Sequence, residues 1–159
     1  MTTIIVPFSK NLNSRIKRLW NITKLAKRRS FDISNKEEVG GNVIALDVAK
    51  RKLLYAKITP HTSSCLIINL NNLEKCTIKK EYHSINAGEL KTKKLHQFLK
   101  SIFLHFVFKN GSGTLSLPFF DARKEQQVNI EQLEAKAKKW ETIVSKVLPI
   151  QIRDSIKIV

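Results

Sequence analysis

The chain has 159 residues, 42% of them hydrophobic and 26% charged, a balance that supports a packed core and excludes wholesale disorder. Its 29 Lys and Arg against 13 Asp and Glu leave a formal charge of +16, which favours contact with polyanions and is silent on fold. Cys65 and Cys76 set no disulfide framework, and no apolar run nears the roughly 18 residues of a membrane span, so the chain reads as intracellular: cytoplasmic, or peripheral at a membrane.

The opening stretch MTTIIVPFSK holds only Ile4, Ile5 and Val6 as a continuous apolar run, too short for a signal-peptide core. Residues 1–30 then carry eight basic side chains and no acid. Over 10–29 the spacing is helical. At about 100° per residue Leu12, Ile16, Leu19, Trp20, Ile22 and Ala26 share one arc, with Lys10, Lys17, Lys24 and Arg28 roughly opposite. Ser9 suits the N-cap, and Lys27-Arg28-Arg29 suit the negative end of the helix dipole. The following SNKEEVGG reads as a short helical turn, with Ser34 and Glu37 at capping-box spacing and Gly40-Gly41 as its stop. The chain therefore divides into a basic helical appendage over 1–41, a domain over 42–148, and an extended tail or edge strand over 149–159.

From Asn42 the period becomes two. NVIALDVAKRKLLYAKI gives a hairpin turning at Val48 to Lys52, and SCLIINL and EKCTIKKEYHS give two further strands around Asn71-Asn72. TKKLHQFLKSI places Leu95, Phe98, Leu99 and Ile102 at helical spacing, which predicts a short helix or helical turn. IFLHFVFKNGSGTLSLPFFD is a hairpin turning at Asn110 to Gly113, with Pro118 marking an edge strand. In NIEQLEAKAKKWETIVSKVLP, Ile130, Leu133, Ala137, Trp140, Val144 and Val147 form one stripe between a cap at Asn129 and a stop at Pro149. Five or six antiparallel strands grouped before a helix indicate α+β: a strongly bent sheet or partial barrel with a C-terminal capping helix.

Over 42–148 the order of IALDVAKRKLLYAK, CLIINLNNLEKCTI, IFLHFVFKNGSGTLSLPFFD and the final helix with Trp140 resembles a pleckstrin-homology-like (PH-like) domain of the bacterial kind. Such domains have seven strands, a helix that plugs one open end, and a Trp buried within that helix. In phosphoinositide-binding relatives, basic residues at the first hairpin grip the headgroup. The resemblance would place Lys50, Arg51, Lys52 and Lys57 there.

The residues offer little to catalysis. His61, Cys65, Cys76 and His83 lack the close pairs of a zinc site. Ser112 lies in G-S-G, which turn chemistry explains, and His105 alternates with Phe103 and Val107 along one strand face. No phosphate-cradling glycine motif occurs. The expectation is a non-catalytic interaction module without cofactor, metal or small-molecule substrate. Its basic surface would comprise Lys10, Lys17, Lys24, Arg28, Lys50, Arg51 and Lys52, with Ile16, Leu19 and Trp20 as an apolar anchor. A protein partner or an anionic membrane is the expected target, and nucleic acid the alternative; Lys79, Lys80, Lys91, Lys93 and Lys94 add charge elsewhere.

Overall fold

The stretches of period two become strands. The computed structural model describes residues 2–6, 15–58, 63–123 and 129–150, with side chains over 22–57, 64–123 and 129–150. Strands β1 (Thr2–Val6), β2 (Asn35–Val39), β3 (Asn42–Asp47), β4 (Lys52–Ile58) and β5 (Ser63–Asn69) form one antiparallel sheet in the order β1-β5-β4-β3-β2. Thus β2–β5 are a meander to which β1 adds at the edge of β5. Strands β6 (Leu73–Tyr82), β7 (Leu99–Phe108) and β8 (Thr114–Asp121) form a second sheet in sequence order. Helix α1 (Arg15–Arg28) precedes β2, and helix α2 (Ile130–Val147) follows β8. The class is α+β, and the two sheets do not close into a barrel.

One local expectation is corrected. Asn35–Val39 is a strand and not a helical turn. Val39 pairs with Asn42, so Gly40 and Gly41 make a two-residue hairpin turn, and their φ of 55° and 75° are the doubly positive pair of a type I′ turn. The Ser34–Glu37 spacing serves other partners: Ser34 Oγ accepts the Val48 amide at 3.2 Å, and Glu37 Oε2 accepts Trp140 Nε1–H at 2.8 Å. Gly41 closes this turn and Asn42 opens β3. Further on, the helical turn expected in TKKLHQFLKSI is present as a 3-10 turn over Leu95–Phe98, while Leu99 and Ile102 belong to β7. A short apolar run satisfies either period, and the β6–β7 ladder decides it.

Both faces of the first sheet are covered. Ile44, Leu46, Leu53, Tyr55 and Ile68 face the main core with Leu104, Phe106, Leu117 and Phe119 of the second sheet and Leu133, Ala137, Trp140 and Val144 of α2. The alternate residues Val43, Ala45, Leu54, Ala56 and Cys65 face a second cluster with Ile22, Ala26 and Phe31. The C-terminal half of α1 therefore packs on the back of the sheet. Its end is a Schellman motif: Ser30 N–H donates to Lys27 O at 3.1 Å and Phe31 N–H to Ala26 O at 2.9 Å, with Ser30 left-handed at φ 54°. Ala26 and Phe31 supply its hydrophobic contact.

The chain changes sheets at a 3-10 turn, Leu70–Asn72, where Asn69 Oδ1 caps the Asn71 amide at 3.0 Å. Tyr55 then crosses the core, its hydroxyl donating to the Pro118 carbonyl at 2.7 Å. Pro118 lies on β8, an edge strand, where its missing N–H leaves no ladder partner wanting. Helix α2 starts at Asn129, whose Oδ1 accepts the Gln132 amide at 3.2 Å, and it buries one stripe.

Candidate basic interaction surface

Among the described cations nominated from the sequence, Lys24 and Arg28 lie on α1 and Lys50 reaches its C-terminal end. Lys24 and Arg28 are exposed on the helix, as are Lys27 and Arg29 beside them. Lys50 and Arg51 are exposed in the β3–β4 turn, and Lys52 is half-buried at the base of that turn, opposite Asp47 in the strand register. Lys57 is exposed on β4. Lys10 lies outside the described residues. Ile16, Lys17, Leu19 and Trp20 belong to α1, but their side chains lie outside the described ones, as does the tail over 151–159.

The helix end and the β3–β4 turn are adjacent because a polar latch joins them. Asp47 is fully buried, and its carboxylate accepts the Asp32 amide and the Lys50 amide, each at 2.9 Å. Lys50 Nζ donates to the Ser30 carbonyl and pairs with Asp32 Oδ2 at 3.2 Å. Ser34 N–H donates to Leu46 O at 2.7 Å. On the other side of the helix end, Lys36 Nζ donates to Thr23 Oγ1 at 3.3 Å. Lys50 is thus partly engaged within the chain, and so is Arg51, whose Nη1 donates to Asn71 Oδ1 at 3.3 Å. Arg51 also adopts φ 50° and offers its carbonyl to the Leu70 amide at 2.8 Å, so it steadies the corner between the sheets.

These contacts set the order of merit among the cations. Lys27, Arg28 and Arg29 project from the last turn and cap of a helix whose apolar stripe is already covered at Ile22 and Ala26. They complement the helix dipole and present charge outward. The sequence reading missed the part played by Lys36 and Asp32 and the bond from the Asp32 amide to Asp47. The contacts Lys36–Thr23, Asp32–Asp47 and Asp32–Lys50 span 13, 15 and 18 residues, and no local spacing signals them.

Groups that catalysis would draw on have structural surroundings. His105 is buried on the outer side of β7, with Nδ1 2.9 Å from Ser116 Oγ, a partner that the β7–β8 register supplies. Burial, and then the nearby Lys79 charge, hold its imidazole below the usual range. Burial likewise pushes the Cys65 thiol up to about 11 and the Cys76 thiol to about 12. The two thiols belong to different clusters, one on each side of the sheet. Among the described residues no three His, Cys, Asp or Glu side chains converge to hold a metal ion.

No protein-family model, curated protein or solved structure matches this chain. Among the described residues no helix is long and apolar enough to cross a membrane.

Proposed function

We propose that this protein is a non-catalytic interaction module of PH-like architecture whose basic surface, at the end of α1 and the β3–β4 turn, docks on an anionic membrane. The architectural part rests on the seven consecutive strands β2–β8, the closing helix, and the buried Trp140 within it. One observation carries the functional part. Lys27, Arg28 and Arg29 stand exposed on a helix end that the latch fixes beside Lys50, so the cations form a standing surface on the domain. In this reading the helix contributes charge at its described end, where Ile22 and Ala26 are already covered.

The mapping of the headgroup site is revised within this reading. The first hairpin is β2–β3, turned by Gly40-Gly41, and Lys50–Lys52 belong to the second. The proposed contact is therefore delocalised electrostatics and not a headgroup pocket. Each Lys or Arg near an anionic surface contributes about 1 kcal/mol.

The experiment is co-sedimentation of the full chain with vesicles of phosphatidylcholine, with and without phosphatidylserine, across a salt series. Arg28→Glu with Arg29→Glu should reduce partition onto the anionic vesicles at least about tenfold, with the loss shrinking as salt rises. Equal binding to neutral and anionic vesicles would refute the reading. Binding to nucleic acid with a steep salt slope, and none to vesicles, would assign the same cations to phosphodiesters instead.

A further inference from the structure

The chain leaves the sheets between β6 and β7 and returns where the His83 amide donates to the Phe98 carbonyl at 2.8 Å. The loop is braced from within. Glu89 accepts the Asn86 amide at 2.7 Å and Lys93 Nζ at 3.2 Å, and Gln97 Oε1 accepts the Lys94 amide at 3.2 Å. Two 3-10 turns result, Glu89–Lys91 and Leu95–Phe98. Phe98 is buried, with Lys93 Nζ 5.7 Å from its ring centroid. Yet on this held backbone Leu90 is 56% exposed and Leu95 49% exposed. Lys91, Lys93 and Lys94 lie between them, all exposed.

We propose that residues 83–98 form a lipid-insertion loop, in which Leu90 and Leu95 enter the interfacial zone of an anionic bilayer while Lys91 and Lys94 meet its headgroups. Charge selects this occupant. The loop's one carboxylate, Glu89, is already paired with Lys93, so the surface offered to a partner is apolar and cationic. An anionic bilayer supplies both complements side by side, hydrocarbon below and phosphate above, without needing a matched register. The two exposed fractions amount to about one whole leucine side chain, worth about ten- to a hundredfold in a partition constant. The lysines add about fivefold each at low salt.

The inference rests on the membrane reading above but uses a different element, so the two can fail separately. The full chain is tested on the same vesicles. Leu90→Ser with Leu95→Ser should weaken partition onto anionic vesicles about tenfold or more, while the variant still unfolds in one cooperative transition, its midpoint lowered only modestly because about half of each side chain is exposed. A Leu90→Cys variant labelled with an environment-sensitive NBD fluorophore should brighten and shift to the blue on anionic vesicles. Cys65 and Cys76 are buried and do not compete for the label. Bound protein with an unshifted label, together with wild-type partition by the double serine variant, overturns the loop assignment while leaving the membrane reading to the Arg28 and Arg29 variants. Failure of the wild-type chain to bind anionic vesicles overturns both. Nucleic-acid binding that Lys91→Glu with Lys94→Glu abolishes, without vesicle binding, overturns the lipid assignment in favour of a phosphodiester contact.

Discussion

Glu37 joins the first hairpin to the last helix, and its removal should be felt at a distance of a hundred residues in sequence. Its Oε2 accepts Trp140 Nε1–H at 2.8 Å and Lys139 Nζ at 3.1 Å, and Lys136 Nζ lies 3.7 Å from Oε1. The two lysines are 56% and 39% exposed and can turn to water, so their loss is worth little. The indole cannot turn, since Trp140 is 1% exposed. Glu37→Ala therefore strands a buried donor that was bonded to a charged acceptor, at a cost of about 2 kcal/mol. Glu37→Gln keeps an acceptor without the charge and should cost about 1 kcal/mol. Urea unfolding at neutral pH, followed by far-UV circular dichroism, measures both, with an unchanged slope expected because the exposed surface does not alter. The pH dependence provides a second reading. Burial alone pushes the Glu37 carboxyl up, but the Trp140 hydrogen bond, and then Lys139 and Lys136, hold it below its ordinary 4.5. A depressed folded value means that the stabilisation is complete above the ordinary value and is lost as pH falls through the folded one. The difference between wild type and Glu37→Gln should accordingly vanish in acid. Two variants within about 0.5 kcal/mol of wild type at neutral pH would refute the indole–carboxylate argument.

Ser30 sits in the left-handed position of the α1 cap, so Ser30→Gly should raise stability by about 0.5–1 kcal/mol, seen as an upward shift in thermal midpoint. Asp47→Ala deprives the Asp32 and Lys50 amides of their acceptor and should cost about 2 kcal/mol, with faster hydrogen exchange at residues 30–34 as the local readout. The depressed His105 value predicts stability that is full above the ordinary histidine range and falls as pH drops through the folded value. A His105→Gln variant should flatten that part of the pH–stability curve, and an unchanged curve would show that His105 is not the group responsible.

What was legible in the sequence followed from strong periodicity and turn chemistry. The stripe from Leu133 to Val144, the hairpin around Asn110–Gly113 and the turn at Asn71-Asn72 each announce themselves within a few residues. Strand β2 did not. NKEEV has a single apolar residue, and its pairing is set by the Gly40-Gly41 turn and by contacts of Glu37 made far along the chain. Strand β1 was invisible for the opposite reason: TTIIV is short and uniform, and only the register Ile4 to Cys65 against β5 identifies it. For the surface, the exposed cations could be nominated from one helix face and one turn. That Lys50 and Arg51 would also hold the chain together could not, because Ser30, Asp32 and Asn71 come to them through tertiary folding.

Strand β3 is buried along nearly its whole length, with even-numbered residues in one cluster and odd-numbered residues in the other. It is a party wall between two hydrophobic rooms. A change at Val43 or Ala45 addresses the attachment of α1, while a change one residue away, at Ile44 or Leu46, addresses the packing of α2 and the second sheet. The hold on the basic helix is therefore adjustable by sequence drift on one side of a single strand, without rewriting the side that keeps the rest of the chain folded.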